Sequence, residues 1–319
     1  MQKIKWGIVS AGRICSKFCS DLIHVEDAEI VAVAARNLDS AEKFAKQYGI
    51  KKAYEGYQTM FDDPEIDVVY IGTPHTLHFE NARDAILAGK HVLCEKPLVV
   101  SPAQCKTLCD LAKEKNVFLM EAMWTYFLPA IQKAKEWLTQ GRIGKVHHIK
   151  IDFGYPMAYA PDSREFSAEL AGGCLFDMGI YPLAVAWFLL EKDLSNLHVF
   201  NENAPNGVDQ DVIIIADCGD TKASLAASFK SNLQNAAHII GDKGIIAIPH
   251  FSRATTCELY DGDDCVDKFV DERKTYGYDF EAKEVMKQIR LGKIESSIMP
   301  HSTSLKLQEQ IHSISELFS

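Results

Sequence analysis

Val92-Leu93-Cys94-Glu95-Lys96-Pro97 is a short apolar run that ends in an acid, a lysine and a proline, and the rest of the chain can be laid out around it. Just beyond it, Ser101 can cap a helix, Pro102 suits the first helical position and Gln104 completes a capping box. Glu95 and Lys96 therefore sit where a strand gives way to a loop leading into a helix. In an open α/β sheet, ligands collect outside the carboxyl ends of the strands, so an ammonium there points into the crevice. Lys96 is the first catalytic candidate. A solvated lysine would fit the position equally well, because most lysines are exposed, and the neighbouring segments decide between the two.

Working outward, the first third alternates strands and helices. Lys5 to Ser10 is apolar, Ala11-Gly12-Arg13 breaks it, and Ile14 to Ile23 has helical spacing. Ile30 to Ala35 predicts the next strand, closed by Arg36, and Asp39 with Glu42 makes a capping box for a helix to Tyr48. Asp67 to Gly72 is a β-branched run, followed by a helix from about Leu77 to Ala88 that stops at Gly89. His91 to Cys94, the helix from Pro102, and Val117 to Met120 extend the series. Strands that are apolar throughout, each followed by a helix, predict an α/β, doubly wound parallel sheet over residues 1–121.

Residues 122–319 have a different pattern. A helix from Pro129 to Gln140 precedes short alternating strands: His147 to Phe153, Asp211 to Ala216, Ala223 to Phe229, Ala237 to Ile240, Ile245 to Ile248 and Thr255 to Tyr260. Tight links such as Gly241-Asp242-Lys243-Gly244 predict a largely antiparallel sheet, followed by helices over Tyr278 to Leu291 and Ser302 to Leu317. Val212 to Ala216 is apolar at every position, so both faces of that strand are expected to be covered. Helices can cover one; a second copy of the chain or a long loop would cover the other, and a homodimer through the sheet is the preferred expectation.

Composition bounds the function. A chain of 319 residues is long for one core and fits two domains. With 47% hydrophobic and 24% charged residues and a net charge of -10, it has no basic run able to track a phosphate backbone, which argues against nucleic acid. The apolar stretch Leu183 to Leu190 is short for a bilayer, and Met1-Gln2-Lys3-Ile4-Lys5 has no signal-peptide core behind it, so a cytoplasmic protein without a membrane partner is expected. Nine cysteines with no CxxC pair fit that compartment. Cys15/Cys19 and Cys105/Cys109 are spaced for one helix face, but no further ligands accompany them and buried thiols are the simpler expectation. His147-His148 point to opposite faces of a strand, and His75 and His78 lack a partner at ligand spacing; no metal is expected.

The turn after the first strand is where such a sheet takes a dinucleotide. Here it reads Ser10-Ala11-Gly12-Arg13-Ile14-Cys15, and of the three small residues of the full fingerprint only Gly12 survives, the one that lets the backbone approach phosphates. The second strand chooses the dinucleotide: an acid would accept from ribose hydroxyls, whereas an arginine pairs with a 2'-phosphate. The residue is Arg36, so NADP(H) is expected over NAD(H). Further on, Ala171-Gly172-Gly173 leads to Asp177, and Tyr181 follows four residues later at the start of an apolar helix. At that spacing the two share a helix face and could converge on one ligand; a helix cap and a rim aromatic would be the plainer roles.

These segments carry a family resemblance. Ser10-Ala11-Gly12 after a strand, then Thr73-Pro74-His75-Thr76-Leu77-His78, then Gly89 to Pro97, then Gly172-Gly173 to Tyr181, resemble in that order the glucose-fructose oxidoreductase and inositol dehydrogenase (Gfo/Idh/MocA) family over essentially the whole chain. Trp6 to Ser10, Ala32 to Arg36 and Met120 to Thr125 are most similar to its dimeric dihydrodiol dehydrogenase (NADP-dependent D-xylose dehydrogenase) group. The resemblance implies an N-terminal Rossmann domain, a C-terminal α+β domain with a large open-faced, mostly antiparallel sheet used for dimerisation, and reversible oxidation of a secondary alcohol by a nicotinamide. Position by position, it implies Lys96 and Tyr181 as the catalytic pair with Asp177 beside them. Ser10, Gly12, Arg13, Ile14, Arg36, Thr73, His75, His78, Glu95 and Lys96 would face the cofactor. Trp124, Tyr126 and Tyr155 are candidates to shape a substrate pocket; Tyr126 stands where related chains commonly have arginine.

The chemistry suits these residue types. Hydride removal from an alcohol leaves a hydroxyl proton that must go to a base. Tyrosine titrates near ~10, and a lysine ammonium that stabilises phenolate would lower it. The same ammonium can stabilise charge on a carbonyl oxygen. Tyr181 is the expected acid/base, Lys96 its electrostatic partner, with an exchange of those roles left open, and Asp177 the orienter. A sugar, polyol or trans-dihydrodiol is the expected substrate class. A sugar ketone or aldehyde reductase would run the same residues in the opposite direction, whereas a non-catalytic NADP(H) sensor could dispense with Lys96, Asp177 and Tyr181.

Overall fold

The computed structural model describes residues 3–318; Met1 and Gln2, which open the N-terminal run read above, and Ser319 lie outside the described residues. The chain divides into two units, residues 1–124 with 274–308, and residues 125–273 with 309–319.

In the first unit β1 (Ile4–Val9), α1 (Arg13–Leu22), β2 (Ala28–Ala35), α2 (Leu38–Tyr48), β3 (Lys52–Glu55), α3 (Gln58–Phe61), β4 (Val68–Ile71), α4 (His78–Leu87), β5 (His91–Glu95), α5 (Pro102–Lys115) and β6 (Leu119–Ala122) follow one another. The strands pair in the order β3-β2-β1-β4-β5-β6, all parallel. The order reverses between β1 and β4, which opens a crevice at their carboxyl ends. Strands buried on both faces explain the unbroken apolar runs: all of Val68–Ile71 is buried.

Local chemistry sets the helix starts, with two corrections to the sequence reading. Asn37, not Asp39, caps α2, its Oδ1 accepting the Ser40 N–H at 2.9 Å. Ser101 caps α5 as expected, accepting the Gln104 N–H at 3.3 Å, but Gln104 Oε1 has no hydrogen-bond partner among the described residues, so the reciprocal half of the capping box is not made.

The second unit contains α6 (Pro129–Thr139), β7 (Val146–Gly154), a π-helical turn (Leu175–Gly179) running into α7 (Ile180–Leu190), and β8 (Leu194–Asn203). β9 (Asp209–Cys218), β10 (Thr221–Ser228), β11 (Ala237–Gly241), β12 (Ile245–Ile248), β13 (Thr256–Asp261) and β14 (Asp264–Val270) complete its sheet. The order is β14-β13-β12-β11-β7-β10-β9-β8, antiparallel except between β7 and β10. The helical run 168–190 has the length and hydropathy of a membrane span, more than its apolar core suggested, but 67% of its most apolar 18-residue window is buried, as in a core helix.

α7 packs against β7 and β10 and covers one face of the sheet. On β9 that face carries Val212, Ile214 and Ala216, all buried, whereas Ile213 and Ile215 on the opposite face are 43% and 41% exposed. With Ile213 and Ile215 exposed, the competing expectation of a long loop over that face is not met among the described residues; a second copy, the preferred cover, lies beyond a single chain.

Residues 274–308, with α8 (Tyr278–Arg290) and the start of α9 (His301–Ser315), group with the first unit, where a single boundary after residue 121 would not put them. The reason lies in hydrogen bonds. Buried Asp21 on α1 accepts the backbone N–H groups of Tyr276, Gly277 and Tyr278 at 3.0, 2.8 and 2.9 Å, satisfying the start of α8. At the edge of β6, the Leu119 N–H donates to Ile294 O at 3.0 Å and its carbonyl meets His301 Nε2 at 3.0 Å.

Candidate active site

The candidate cofactor residues lie at the carboxyl ends of adjacent strands in the first unit. Ser10 follows β1 with φ 98°, a conformation that favours glycine, and its Oγ accepts the Gly12 N–H at 3.2 Å. Gly12 itself has φ -81° and ψ 175°, and a Cβ there would come no closer to the protein than 3.4 Å. Neither its backbone nor its packing requires glycine, so the missing side chain leaves room above the helix start. α1 begins at Gly12 without a side-chain cap or an acid in its first turn, and Arg13 is exposed. This helix end fits a pyrophosphate, by its orphan N–H groups and its dipole.

Cys15 occupies the sixth place of the fingerprint, where glycine or alanine is usual, and burial pushes its thiol up to about 12. Its sulfur fits because Gly72 has no side chain: a Cβ on Gly72 would lie 2.5 Å from it. The close approach that the fingerprint normally places on the helix is provided by β4's end instead.

Arg36 is exposed just past β2, close enough to Tyr57 for its charge to act on that phenol. Thr73 and His75, after β4, are buried, and His78 is fully buried, its ring nitrogens each 2.8 Å from a carbonyl oxygen, of Pro97 and of Thr73. His78 therefore ties two loops together, a different task from the cofactor contact expected of it. Glu95 is also turned inward: Tyr70 donates to its Oε1 at 2.5 Å and the Lys96 N–H donates to its Oε2 at 3.2 Å. Trp124 stacks on Tyr278 with centroids 4.5 Å apart and is 8% exposed.

In the second unit, Asp177 lies in the π-helical turn and Tyr181 in the first turn of α7. Tyr181 is 9% exposed, and its ring meets Phe153 edge-on at 5.3 Å; Tyr155 meets the same ring at 5.7 Å. Asp177 is paired with Arg164, whose guanidinium stands 3.1 Å from its Oδ1. Arg164 was not singled out in the sequence, where Ser163-Arg164-Glu165 has no signal of its own. Tyr126 is fully buried, donates to Ala184 O at 2.6 Å and stacks on Phe188, so it helps build the core.

Among the described residues no group of three His, Cys, Asp or Glu side chains could hold a metal. A Rossmann sheet with an uncapped, glycine-led helix start fits a dinucleotide. The sequence profile of the Gfo/Idh/MocA oxidoreductase family, NAD-binding Rossmann fold, matches residues 4–123, and that of the GFO/IDH/MocA C-terminal domain matches residues 131–247. The chain belongs to this family and is an oxidoreductase. Among its relatives, trans-1,2-dihydrobenzene-1,2-diol dehydrogenase of Xenopus laevis is 36% identical, over 92% of either chain. In fold it is similar to the 3-ketoreductase KijD10 of Actinomadura kijaniata solved with NADP (TM-score 0.86, 22% identity, 99% of this chain and 98% of that one). It is likewise similar to a levoglucosan dehydrogenase solved with NADH and levoglucosan (TM-score 0.89, 22% identity, 99% and 97%).

Proposed function

We propose that this chain is an NADP(H)-dependent dehydrogenase that acts on a secondary alcohol of a sugar, polyol or trans-dihydrodiol, or on the matching carbonyl in reverse. The observation that carries the reading is the carboxyl edge of the parallel sheet, where β1 leads to Gly12, β2 to exposed Arg36 and β5 to Lys96. Gly12 and the start of α1 would hold the pyrophosphate, and Arg36 the 2'-phosphate. The fold is compatible with either nicotinamide, since its solved neighbours hold NADP in one case and NADH in the other. Arg36, in the place where an acid would repel a 2'-phosphate, favours NADP(H).

The nicotinamide, when bound, supplies the hydride acceptor or donor. In this reading Tyr181 Oη takes or returns the hydroxyl proton, and the Lys96 ammonium stabilises negative charge on the substrate oxygen. Asp177, held by Arg164, orients a substrate hydroxyl. The relatives named trans-1,2-dihydrobenzene-1,2-diol dehydrogenase support a vicinal diol as substrate. A second copy seated on the open sheet face completes the proposal. Phe200 and Ile213 are paired across β8 and β9 with 66% and 43% exposure, and Ile215 lies on the same face.

Fluorescence titration with NADPH and NADH, followed by a turnover screen of aldoses, polyols and dihydrodiols, tests this. Preferential NADPH binding with turnover of a sugar or vicinal diol is expected. Binding without turnover across the screen would overturn sugars, polyols and dihydrodiols as the substrate class, and failure to bind either nucleotide would overturn the proposal.

A further inference from the structure

The loop carrying Lys96 is gripped at three consecutive backbone positions by buried side chains from three elements. Glu95 Oε2 accepts the Lys96 N–H at 3.2 Å, His78 Nδ1 stands 2.8 Å from Pro97 O, and Glu121 Oε1 accepts the Leu98 N–H at 2.9 Å. Glu95 is itself held by Tyr70, and His78 by Thr73 O. Glu121, paired with Cys94 where β6 runs beside β5, is the member with no evident structural need to be an acid. It is 1% exposed, and its Oε2 has no hydrogen-bond partner among the described residues. Leaving a buried acid oxygen unmet costs about 1–3 kcal/mol, which an apolar residue would avoid.

We infer that Glu121 is a positioning residue for Lys96, setting the place of the 96–98 loop through the Leu98 N–H and, by its own charge, the field in which the ammonium works. This rests on the assignment of Lys96 to the chemistry. Lys96 and Glu121 act on each other electrostatically, and the other groups facing Glu121 are Glu95 and Cys94 from β5 and Ser304 from α9. His301, one turn earlier on α9, is engaged with Leu119 O. Burial raises the Glu121 carboxyl most, Ser304, the Leu98 N–H and Lys96 lower it, Glu95 raises it, and it comes to rest at about 7. A group that changes charge there alters the surroundings of Lys96 across the neutral range.

Glu121→Gln keeps an acceptor for the Leu98 N–H and removes the charge; Glu121→Ala removes both. With the preferred nicotinamide, Glu121→Ala should lower kcat about tenfold while its cofactor Kd stays within about twofold, a loss of positioning rather than of binding. Glu121→Gln should recover kcat to within about threefold and lose the ionisation near neutrality from the kcat profile. Lys96→Met is measured alongside. If Lys96→Met turns over normally, the assignment of Lys96 fails and takes the inference with it. If Lys96→Met is inactive while a folded Glu121→Ala, checked by its thermal transition, has wild-type kcat, only the inference about Glu121 is overturned. Should Glu121→Ala not fold, an unchanged pH profile in Glu121→Gln overturns it.

Discussion

Asp209 Oδ2, at the first residue of β9, accepts the Leu175 backbone N–H at 2.7 Å, so one buried carboxyl sets the start of the π-helical turn that carries Asp177. The geometry depends on Gly173, whose φ is 117° and whose Cβ, were it present, would lie 2.2 Å from Asp209 Oδ1. Gly173→Ala must therefore displace either the carboxyl or the turn. We expect it to destabilise the protein by about 2–4 kcal/mol in urea denaturation and to lower kcat at least about tenfold.

The same carboxyl makes stability depend on pH. Burial, the largest influence, lifts Asp209 from 3.8 to about 6 against the pull of its backbone hydrogen bonds. The folded chain therefore holds this proton more tightly than the unfolded one, and the resulting stabilisation is full below the unfolded value and lost as pH rises to about 6. Wild type should lose on the order of 2–3 kcal/mol from this group between the two values, and Asp209→Asn should not. Denaturation midpoints at a series of pH values for both proteins compare them; parallel curves would refute the assignment.

Lys96→Met and Tyr181→Phe should each lose most turnover, by about a hundredfold or more, while NADPH binding persists, because neither change removes a phosphate contact. Wild-type kcat in either variant would remove that residue from the chemistry.

Arg36→Ala should weaken NADPH about 10- to 100-fold and leave NADH nearly unchanged, the scale of one charge-assisted contact to a phosphate. Equal losses for both nucleotides would mean that Arg36 does not read the 2'-phosphate.

Asp21→Ala removes an acceptor from three backbone N–H groups at once. A loss of about 3 kcal/mol is expected, with faster hydrogen exchange concentrated in the first turn of α8. Uniform exchange across the chain would show that Asp21 is not a local clamp for that helix.

The strands missed in the sequence have one thing in common. β3 is an edge of the six-stranded sheet, and β14 and β8 are the two edges of the eight-stranded one. These three edge strands bury little, so their residues do not need the apolar run or strict alternation that betrays a central strand; Leu194–Asn203 reads Leu-Ser-Asn-Leu-His-Val-Phe-Asn-Glu-Asn. The α2 cap was misplaced because Asn37 and Asp39 both satisfy the same rule, and only the backbone shows which carbonyl oxygen meets an N–H.

What the amino-acid sequence determined by itself was therefore local or periodic: the alternation that makes a parallel sheet, the Pro102 helix start, the break at Gly12 and the motifs around Lys96 and Tyr181. Tertiary structure alone decided the rest. Tyr126 becomes a core residue through Ala184 O and Phe188; Arg164 meets Asp177; Asp21 holds the start of a helix at residue 278; and Gly72 makes room for Cys15. Each of these depends on a partner between 13 and 257 residues away, brought near by burying apolar surface, a force without direction that leaves no periodic trace of which polar atoms it will place together.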